Sequence, residues 1–346
     1  MGKTKVLVGV SGGVDSTVCV HLLQQQGYHV EGAVIQFSDA SGNAVKEAEA
    51  VSSQMNIALH IIDAKDIFTT EVIEPFCKSY CKGETPNPCV ICNPLVKFKV
   101  LCQKADSLGI ERVATGHYAR IAKKGGAFFV RQATSDARDQ SYMLYRLPQA
   151  ILSRLLLPVG EFEKPAIREM AKDSGYVSAD SPDSQEICFI PDGGYPAYIE
   201  SLGYNGKQGC FIAPNGECLG AHKGVLHYTV GQRRGLRIAF GKPVFVKSIE
   251  ENGDIMLGFA GDEFYRSVSL TDFVFADENS PIAEGSYLVK IRSAATPVPC
   301  LLNLNDNGVA CLIFDEPVRA PAPGQSAVLY KDGLVIGGGF ISTVSL

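Results

Sequence analysis

Hydrophobic and polar positions in the first third of the chain alternate between two periods. Short apolar runs predict strands over residues 5–10, 30–37, 58–63 and 112–116. Apolar residues spaced three to four apart predict helices over residues 17–26, 44–55 and 95–108. Strands that alternate with helices predict an α/β fold with a parallel sheet covered on both faces. Ligands of such sheets bind at the carboxyl ends of the strands.

The pattern changes twice further along the chain. Helical spacing dominates from about residue 147 to 175, with helices predicted over 150–157 and 164–174. From about residue 203, short β-rich runs are separated by turn signals such as Asn215-Gly216. These runs predict two small antiparallel β units, the last of them barrel-like. The predicted domains are therefore residues 1–200, 201–263 and 264–346.

Composition narrows the class of protein. The chain has 346 residues, of which 46% are hydrophobic and 20% charged, which excludes a disordered protein. It contains no apolar run of the ~20 residues that a membrane span needs and no N-terminal signal pattern. We therefore expect a cytoplasmic protein with no membrane partner. In such a protein the 11 cysteines are thiols, metal ligands or catalytic groups rather than a disulfide framework.

Charge is distributed unevenly. The net charge is −5, but residues 207–247 carry seven lysines and arginines against one acid, Glu217. A local basic surface is what an RNA partner requires, whatever the overall charge. An ordinary solvated surface gives the same pattern, so both interpretations stay open.

The segment between the first predicted strand and helix reads Val10-Ser-Gly-Gly-Val-Asp-Ser16. Its glycines allow close backbone approach, and the N–H groups at the following helix N-terminus form an anion site. The segment is not a Walker loop, because Asp15 stands where that loop has lysine. A carboxylate beside phosphates implies Mg²⁺. The segment resembles the PP-loop ATP pyrophosphatases, in which ATP is cleaved to AMP and pyrophosphate and AMP is placed on a substrate oxygen.

Two cysteine motifs carry candidate chemistry. Cys89 and Cys92 lie in a proline-rich loop that is expected to enter a helix at about Leu95, near Lys97 and Lys99. A thiol near a helix N-terminus and a lysine is expected to have a lowered pKa. Cys188 is a second candidate. The remaining isolated thiols are expected to act as small hydrophobic residues, namely Cys19, Cys102, Cys300 and Cys311.

Seven blocks occur in one order along the chain: SGGVDS, TPNPCVICN, ATGHY, RDQSYML, SQEICFI, HYTVGQRRGL and PGQSAV. Together they resemble the bacterial tRNA-specific 2-thiouridylase family, over nearly the whole chain. The resemblance implies a tRNA-uridine 2-sulfurtransferase. Such an enzyme adenylates the C2 oxygen of the wobble uridine (U34) with ATP and then transfers sulfur from a protein persulfide. The implied partners are a sulfur-donor protein, such as a cysteine desulfurase or relay protein, and the tRNAs for Glu, Gln and Lys.

The resemblance also implies roles for individual residues. Cys188 carries the persulfide, and Cys92 is the nucleophile that helps to release the sulfur and can end in a disulfide with Cys188. ATP is held by Gly9, Val10, Ser11, Gly12, Gly13, Val14, Asp15, Ser16, Ile35 and Gly116. The target base meets Asn87, Pro88 and Cys89, and the rest of the tRNA meets His117, Arg138, Asp139, Gln140, Arg292, Ser293 and Gln325. The chain has no tryptophan, so base stacking falls to Tyr118 or Tyr142 unless both pack in the core.

Three departures from the family pattern leave alternatives open. Cys89 stands where the family usually has aspartate, Arg138 stands where it usually has lysine, and the segment over residues 38–46 is short. With Cys89 as a third thiol, a [4Fe–4S] cluster on Cys89, Cys92 and Cys188 is an alternative to metal-free persulfide chemistry. A zinc site is a further alternative, on Cys77, Cys81, Cys89 and Cys92.

Two other functions compete with sulfur transfer. One is a different PP-loop enzyme. An amidotransferase is expected to need a glutaminase domain, for which this sequence gives no sign, and a tRNA lysidine synthase has no need of Cys92 and Cys188. The other is a tRNA-binding or sulfur-carrier protein that keeps the fold without catalysis, against which the intact phosphate loop argues.

Overall fold

The computed structural model describes residues 3–39, 42–181, 187–191, 193–238, 240–277, 279, 283–304 and 309–345. Its strands are β1 Lys5–Gly9, β2 His29–Gln36, β3 Leu59–Asp63, β4 Arg112–Thr115, β5 Arg120–Lys124, β6 Ala127–Arg131, β7 Leu155–Leu156, β8 Cys210–Ile212, β9 Cys218–Ala221, β10 Val244–Ile249, β11 Ile255–Phe259, β12 Phe264–Phe275, β13 Gly285–Lys290, β14 Val298–Leu304, β15 Ala310–Arg319, β16 Ser326–Lys331 and β17 Leu334–Ser345. Its α-helices are α1 Val14–Gln25, α2 Gly42–Gln54, α3 Lys65–Phe68, α4 Glu74–Cys81, α5 Pro88–Cys92, α6 Phe98–Ser107, α7 Gln149–Leu152, α8 Lys164–Asp173 and α9 Gly194–Ser201. Short π-helical turns cover Thr69–Ile73 and Asn93–Lys97, and 3₁₀ turns cover Asp136–Arg138, Ser141–Leu144, Pro158–Glu161 and Val225–His227.

The first sheet is parallel throughout and has the order β3-β2-β1-β4-β7. Val6 and Val8 of β1 pack into one core cluster with α1, α2 and α8. Leu7, which points to the opposite face, packs into another cluster with α6. All three side chains are fully buried, as the continuous apolar runs of parallel strands require. The predicted parallel sheet with helices on both faces is confirmed.

Two predicted helices differ from the structure. The helix expected over 150–157 is only the four-residue α7, and Leu155–Leu156 forms the edge strand β7, which pairs with β4. A short apolar run fits either element, and its pairing with β4 decides for the strand. The helix expected to begin at about Leu95 begins at Pro88, because Asn87 caps it and proline suits a first helical position.

The remaining strands form two further sheets. The smaller has the order β10-β11-β8-β9 and is antiparallel except for the parallel pair β8–β11. In the larger sheet, six strands close into a barrel through the pairing of β12 with β17. Their order around the barrel is β12-β15-β14-β13-β16-β17. The predicted terminal barrel is confirmed. The hairpin β5–β6 from the first part of the chain extends this sheet, since Leu334 of β17 pairs with Arg131 of β6.

The barrel is fastened to the α/β unit by buried polar contacts. Lys290 Nζ lies 3.1 Å from Asp139 Oδ2, and the Ser141 hydroxyl donates to the same oxygen at 2.7 Å. The Tyr142 hydroxyl donates to the Ser326 carbonyl oxygen at 2.8 Å. A buried charge is stable only with a close partner, so the Asp139–Lys290 pair fixes the relative position of the two units.

Replacing Lys290 with methionine would leave the Asp139 carboxylate buried without its cation. We expect Lys290→Met to lower the free energy of unfolding by about 3 kcal/mol, since breaking a buried ion pair commonly costs about 3–5 kcal/mol. Urea denaturation followed by circular dichroism would measure the loss. The control is Lys78→Met on the exposed surface of α4, which we expect to leave the midpoint unchanged. Equal midpoints for the two variants would contradict the role of the pair.

Candidate functional site

The phosphate loop occupies the carboxyl end of β1 and the first turn of α1. The Ser16 hydroxyl donates to the Gly13 carbonyl oxygen at 2.9 Å and accepts from the Ser11 N–H at 3.2 Å, which closes the loop on itself. Gly12 has a φ of +84°, and a Cβ at this position would lie 2.3 Å from Glu47 Cβ on α2. Both the backbone angle and the close approach therefore require glycine there.

The other predicted ATP residues lie at the same edge of the sheet. Ile35 is near the end of β2, half-buried, and pairs with Ile62 of β3. Gly116 follows β4, and a Cβ on it would lie 2.7 Å from the Asp15 carbonyl carbon and 2.8 Å from the Ser16 nitrogen. The end of β4 thus packs directly against the start of α1. The structure brings the predicted ATP residues together, and binding of ATP by them stays a prediction.

The Asp15 carboxylate has two partners that the sequence analysis missed. Lys164 Nζ, at the start of α8, lies 2.8 and 2.9 Å from its two oxygens. The Tyr118 hydroxyl donates to Asp15 Oδ1 at 2.7 Å. Lys164 lies 149 residues along the chain from Asp15, and no local signal links the two. The cation beside Asp15 in this structure is therefore a buried lysine.

The first two candidate thiols, Cys89 and Cys92, lie on the short helix α5. The Asn87 side chain accepts the Cys89 N–H at 3.1 Å and Pro88 is the first helical residue, so both have a structural role at the cap. Cys92 ends α5 and is buried, whereas Cys89 is half-buried. A π-helical turn then runs to Lys97, and such turns are frequent at functional sites.

The expected lowering of the thiol pKa values is wrong. Burial raises the pKa of Cys92 to about 12, and it also raises the pKa values of Cys89 and Cys188. The Lys97 ammonium acts on all three in the opposite direction but does not prevail. Desolvation disfavours a thiolate more strongly than one nearby cation favours it. At neutral pH these thiols are therefore protonated.

Cys188 is exposed to solvent, whereas Cys92 is buried. The two thiols and Cys89 are close enough to influence one another's ionisation, and Lys97 lies among them. The motif around Cys188 also includes residues 184–186, which lie outside the described residues. The structure therefore brings the two predicted catalytic cysteines to one place.

The arrangement of these thiols bears on the two metal alternatives. Across the described ranges, no three His, Cys, Asp or Glu side chains are gathered closely enough to hold a metal ion. The three thiols of the cluster alternative and the four of the zinc alternative are thus not placed as ligand sets. Cys77 is fully buried on α4, where burial raises the pKa of its thiol to about 11. Of the thiols expected to be hydrophobic, Cys19 and Cys300 are buried, and Cys102 and Cys311 are half-buried.

His117 connects the phosphate loop to the thiols. Its Nδ1 lies 2.7 Å from the Thr115 hydroxyl, and its Nε2 lies 3.5 Å from Lys97 Nζ. Because an ammonium only donates, Nε2 accepts, and the ring proton resides on Nδ1. Burial and Lys97 both lower the pKa of His117 well below its usual value, so the imidazole is neutral at neutral pH.

Comparison with known proteins agrees with this geometry. Residues 4–192 match a family model described as "tRNA methyl transferase HUP domain", residues 200–258 a "tRNA methyl transferase PRC-barrel domain", and residues 265–341 an "Aminomethyltransferase beta-barrel domain". The "tRNA-specific 2-thiouridylase MnmA" of Clostridium beijerinckii is 40% identical, over 99% of this chain and 99% of that protein. The protein of the same name from Clostridioides difficile is 39% identical, over 97% and 98%.

The chain belongs to the tRNA-specific 2-thiouridylase family.

Among solved structures, "Crystal structure of a 4-thiouridine synthetase - RNA complex with bound ATP" aligns with a TM-score of 0.37 and 18% identity, over 58% of this chain and 50% of that one. This likeness adds nothing to the assignment to the thiouridylase family. Within the described ranges, no helix combines the length and apolar character that crossing a bilayer requires.

The residues that the 2-thiouridylase family would use for tRNA have mixed surroundings. Arg138 is exposed. Asp139 is buried and bonded to Lys290 and Ser141, and the Gln140 side chain accepts the Tyr118 N–H at 2.8 Å. Asp139 therefore presents no free carboxylate to a tRNA in this structure. Of the candidate base-stacking tyrosines, Tyr118 and Tyr142 are both packed in the core.

The three residues that the family would contribute from the barrel also make internal contacts. Arg292 donates to the carbonyl oxygens of Ala320 at 2.6 Å and Val230 at 3.3 Å, and its buried Nε has no hydrogen-bond partner among the described residues. Gln325 donates to the Thr85 carbonyl oxygen at 2.6 Å, which fastens the barrel to the segment before Cys89. Ser293 is half-buried. Contacts of these residues with tRNA stay predictions.

Removing the Lys97 ammonium should raise the pKa values of the site thiols further. We expect Lys97→Met to slow alkylation of Cys92 and Cys188 by iodoacetamide about three- to tenfold at a fixed pH near 8, because only the thiolate reacts. Peptide mapping by mass spectrometry would give the rate for each thiol. Lys99→Met is the control, since Lys99 is exposed and acts on none of the three thiols in this structure. Unchanged rates in Lys97→Met would contradict the role of Lys97.

Removing the Lys164 ammonium should weaken nucleotide binding. We expect Lys164→Met to reduce the affinity for ATP with Mg²⁺ about tenfold, because the phosphate loop loses a buried positive charge beside the phosphates. Titration calorimetry would measure the affinity. Lys172→Met, an exposed position on the same helix, serves as the matched control. Equal affinities for Lys164→Met and its control would refute the interaction.

Proposed function

We propose that this chain catalyses ATP-dependent 2-thiolation of the wobble uridine (U34) of tRNA. One observation carries the proposal: a series of contacts runs from the phosphate loop to Lys97, and the Lys97 ammonium acts electrostatically on the thiols. Gly116 packs against Asp15, and the next residue, His117, contacts Lys97, whose ammonium acts on Cys92 and Cys188. This arrangement supports the inference that one substrate base reaches both an adenylating site and a sulfur nucleophile.

The first step activates the uridine. Its C2 oxygen attacks the α-phosphorus of ATP, the α–β phosphoanhydride bond breaks, and pyrophosphate leaves. The C2 oxygen then carries AMP and becomes a good leaving group. The backbone N–H groups of the phosphate loop and the N-terminus of α1 supply the anion site for the phosphates. Asp15 is the residue that would hold Mg²⁺, since its carboxylate lies at this loop and Mg²⁺ prefers oxygen ligands; the cation would neutralise the phosphates.

The second step transfers sulfur. The exposed Cys188 accepts a sulfur atom from the donor protein and becomes a persulfide, and the donor leaves as a thiol. The terminal sulfur attacks C2 and AMP leaves, so that sulfur joins C2 to Cys188. Cys92 Sγ then attacks Cys188 Sγ, the bonding electrons pass to the sulfur on C2, and the Cys92 proton passes to the departing 2-thiouridine. The products are 2-thiouridine and a Cys92–Cys188 disulfide, which an external dithiol reduces again.

The exposure of the thiols supports this division of roles. A residue that receives sulfur from another protein must be reached from outside, as Cys188 is, whereas the buried Cys92 is protected from that exchange. Burial raises the pKa of Cys89, which stands where the family usually has aspartate, so its thiol stays neutral near pH 7. Cys89 therefore does not provide the negative charge that an aspartate would provide at this position.

The substrates and setting follow from the same proposal. The acceptor tRNAs are those for Glu, Gln and Lys, the sulfur comes from a cysteine desulfurase or relay protein, and the reaction takes place in the cytoplasm. Metal-free persulfide chemistry is preferred over a [4Fe–4S] cluster, because the described side chains form no ligand set. Thiols at the site favour sulfur transfer over the methyl transfer that the family-model descriptions name.

Separating the two steps tests the proposal. We expect Cys92→Ser and Cys188→Ser to abolish formation of 2-thiouridine while tRNA-dependent release of pyrophosphate continues, since adenylation needs no thiol. Asp15→Asn should reduce both. Pyrophosphate release and mass spectrometry of digested tRNA would measure the two products. Cys102→Ser, outside the site, is the control.

Three outcomes would count against the proposal or part of it. Absence of tRNA-dependent pyrophosphate release would exclude the adenylating enzyme. Full thiolation by Cys92→Ser or Cys188→Ser would exclude the persulfide route. An anaerobically purified protein with iron and acid-labile sulfide, whose activity depends on that iron, would favour the cluster alternative.

A further inference from the structure

Four basic side chains stand on one loop of the central sheet, before β10. We call Arg233, Arg234, Arg237 and Lys242 the basic ridge; all four are exposed. The only acidic residue between positions 207 and 247 is Glu217. Charges of one sign that are held together at a surface create a potential that attracts a polyanion.

The loop is anchored rather than free. Leu236 is buried in the core of the central sheet with Tyr228 and Val244. At its start, Arg292 of the barrel donates to the Val230 carbonyl oxygen, and a Cβ on Gly231 would lie 2.9 Å from Ala320 Cβ. The start of the loop and Leu236 are therefore held by contacts with two parts of the protein, which lowers the ordering cost of binding by the arginines next to Leu236.

One member of the ridge is also structural. Arg233 pairs with Glu263, a buried carboxylate that also lies 3.5 Å from Arg319 Nε. The other three members have no carboxylate partner among the described residues. Lys242 lies over the Phe259 ring at 5.8 Å, which leaves its ammonium at the surface.

The ridge borders a surface groove of about 400 Å³, which is lined in part by Arg233, Arg237 and Lys242. Arg237 has a φ of +56°, a left-handed conformation that arginine adopts at a cost. This backbone angle would suit glycine better. The position therefore offers a substitution that removes the charge and relieves strain together.

We propose that the basic ridge binds the phosphate backbone of RNA, with Arg237 and Lys242 each contacting one phosphate. The inference rests on the proposed function only in that the RNA is the tRNA substrate. Phosphate contacts supply affinity and orientation without reading sequence, so the ridge positions the tRNA for the site on the α/β unit. An acidic sulfur-donor protein is the other polyanion that could meet this surface.

The salt dependence of binding tests the proposal. Each phosphate contact contributes a slope of about −0.9 to log Kobs against log salt concentration. We expect the double variant Arg237→Gly with Lys242→Gln to reduce the steepness of the slope for an unmodified tRNA transcript by about 2. Its affinity near physiological salt should fall at least about tenfold. Fluorescence anisotropy with the full-length protein, without ATP, would measure both.

Controls separate binding from folding. The variant Lys46→Gln with Lys172→Gln removes two exposed lysines from α2 and α8 and should retain the wild-type slope. Arg237→Gly alone should keep or raise the melting temperature while lowering the affinity for tRNA. Arg233 is left in place because it stabilises Glu263.

The outcomes are distinct. An unchanged slope and affinity in the double variant would overturn the proposal. If that variant instead thiolates slowly with a protein persulfide donor but normally with inorganic sulfide, the ridge binds the donor, and the RNA assignment is wrong. A wild-type protein that binds tRNA with the expected slope but forms no 2-thiouridine would refute the proposed function. The binding of RNA by the basic ridge would still hold.

Discussion

The close contact between Gly116 and the first turn of α1 is the constraint on which the candidate site depends. A Cβ at residue 116 would collide with the backbone of Asp15 and Ser16, so only glycine lets β4 end so near the phosphate loop. The residues that follow β4 gain their positions from this contact. Tyr118 reaches the Asp15 carboxylate, and His117 reaches Lys97 beside the thiols. One steric requirement thereby places the residues after β4 between the phosphate loop and Lys97.

The electrostatics of the site follow from burial. Lys164 and Tyr118 stabilise the Asp15 carboxylate, whereas the thiols lie where burial outweighs the attraction of Lys97. Protonated thiols are weak nucleophiles, which protects them from unproductive oxidation before a substrate is bound. In the proposed reaction, a persulfide on Cys188 replaces one of these weak nucleophiles, and Lys97 is the cation that favours the anionic sulfur.

The barrel contacts the segment that leads to the candidate thiols. Gln325 and Pro323 bind the backbone of Thr85, three residues before the helix that carries Cys89 and Cys92. The buried pair of Asp139 and Lys290 fixes the barrel against the α/β unit. Two residues that resemblance assigns to tRNA contact, Asp139 and Gln325, therefore have a clear structural function. The exposed basic surface lies instead on the central loop that carries Arg237 and Lys242.

The sequence by itself determined the features that depend on local pattern. Periodicity indicated the parallel sheet, the glycine-rich segment indicated the phosphate loop, and the order of motifs indicated the family and its two cysteines. Only the tertiary structure decided the rest. Lys164 is far from Asp15 in the chain, Leu155 became a strand through its pairing with β4, and the thiol pKa values rose because burial is a property of the packed protein. Local signals report propensity and motif, whereas partners and desolvation are set by segments that meet only after folding.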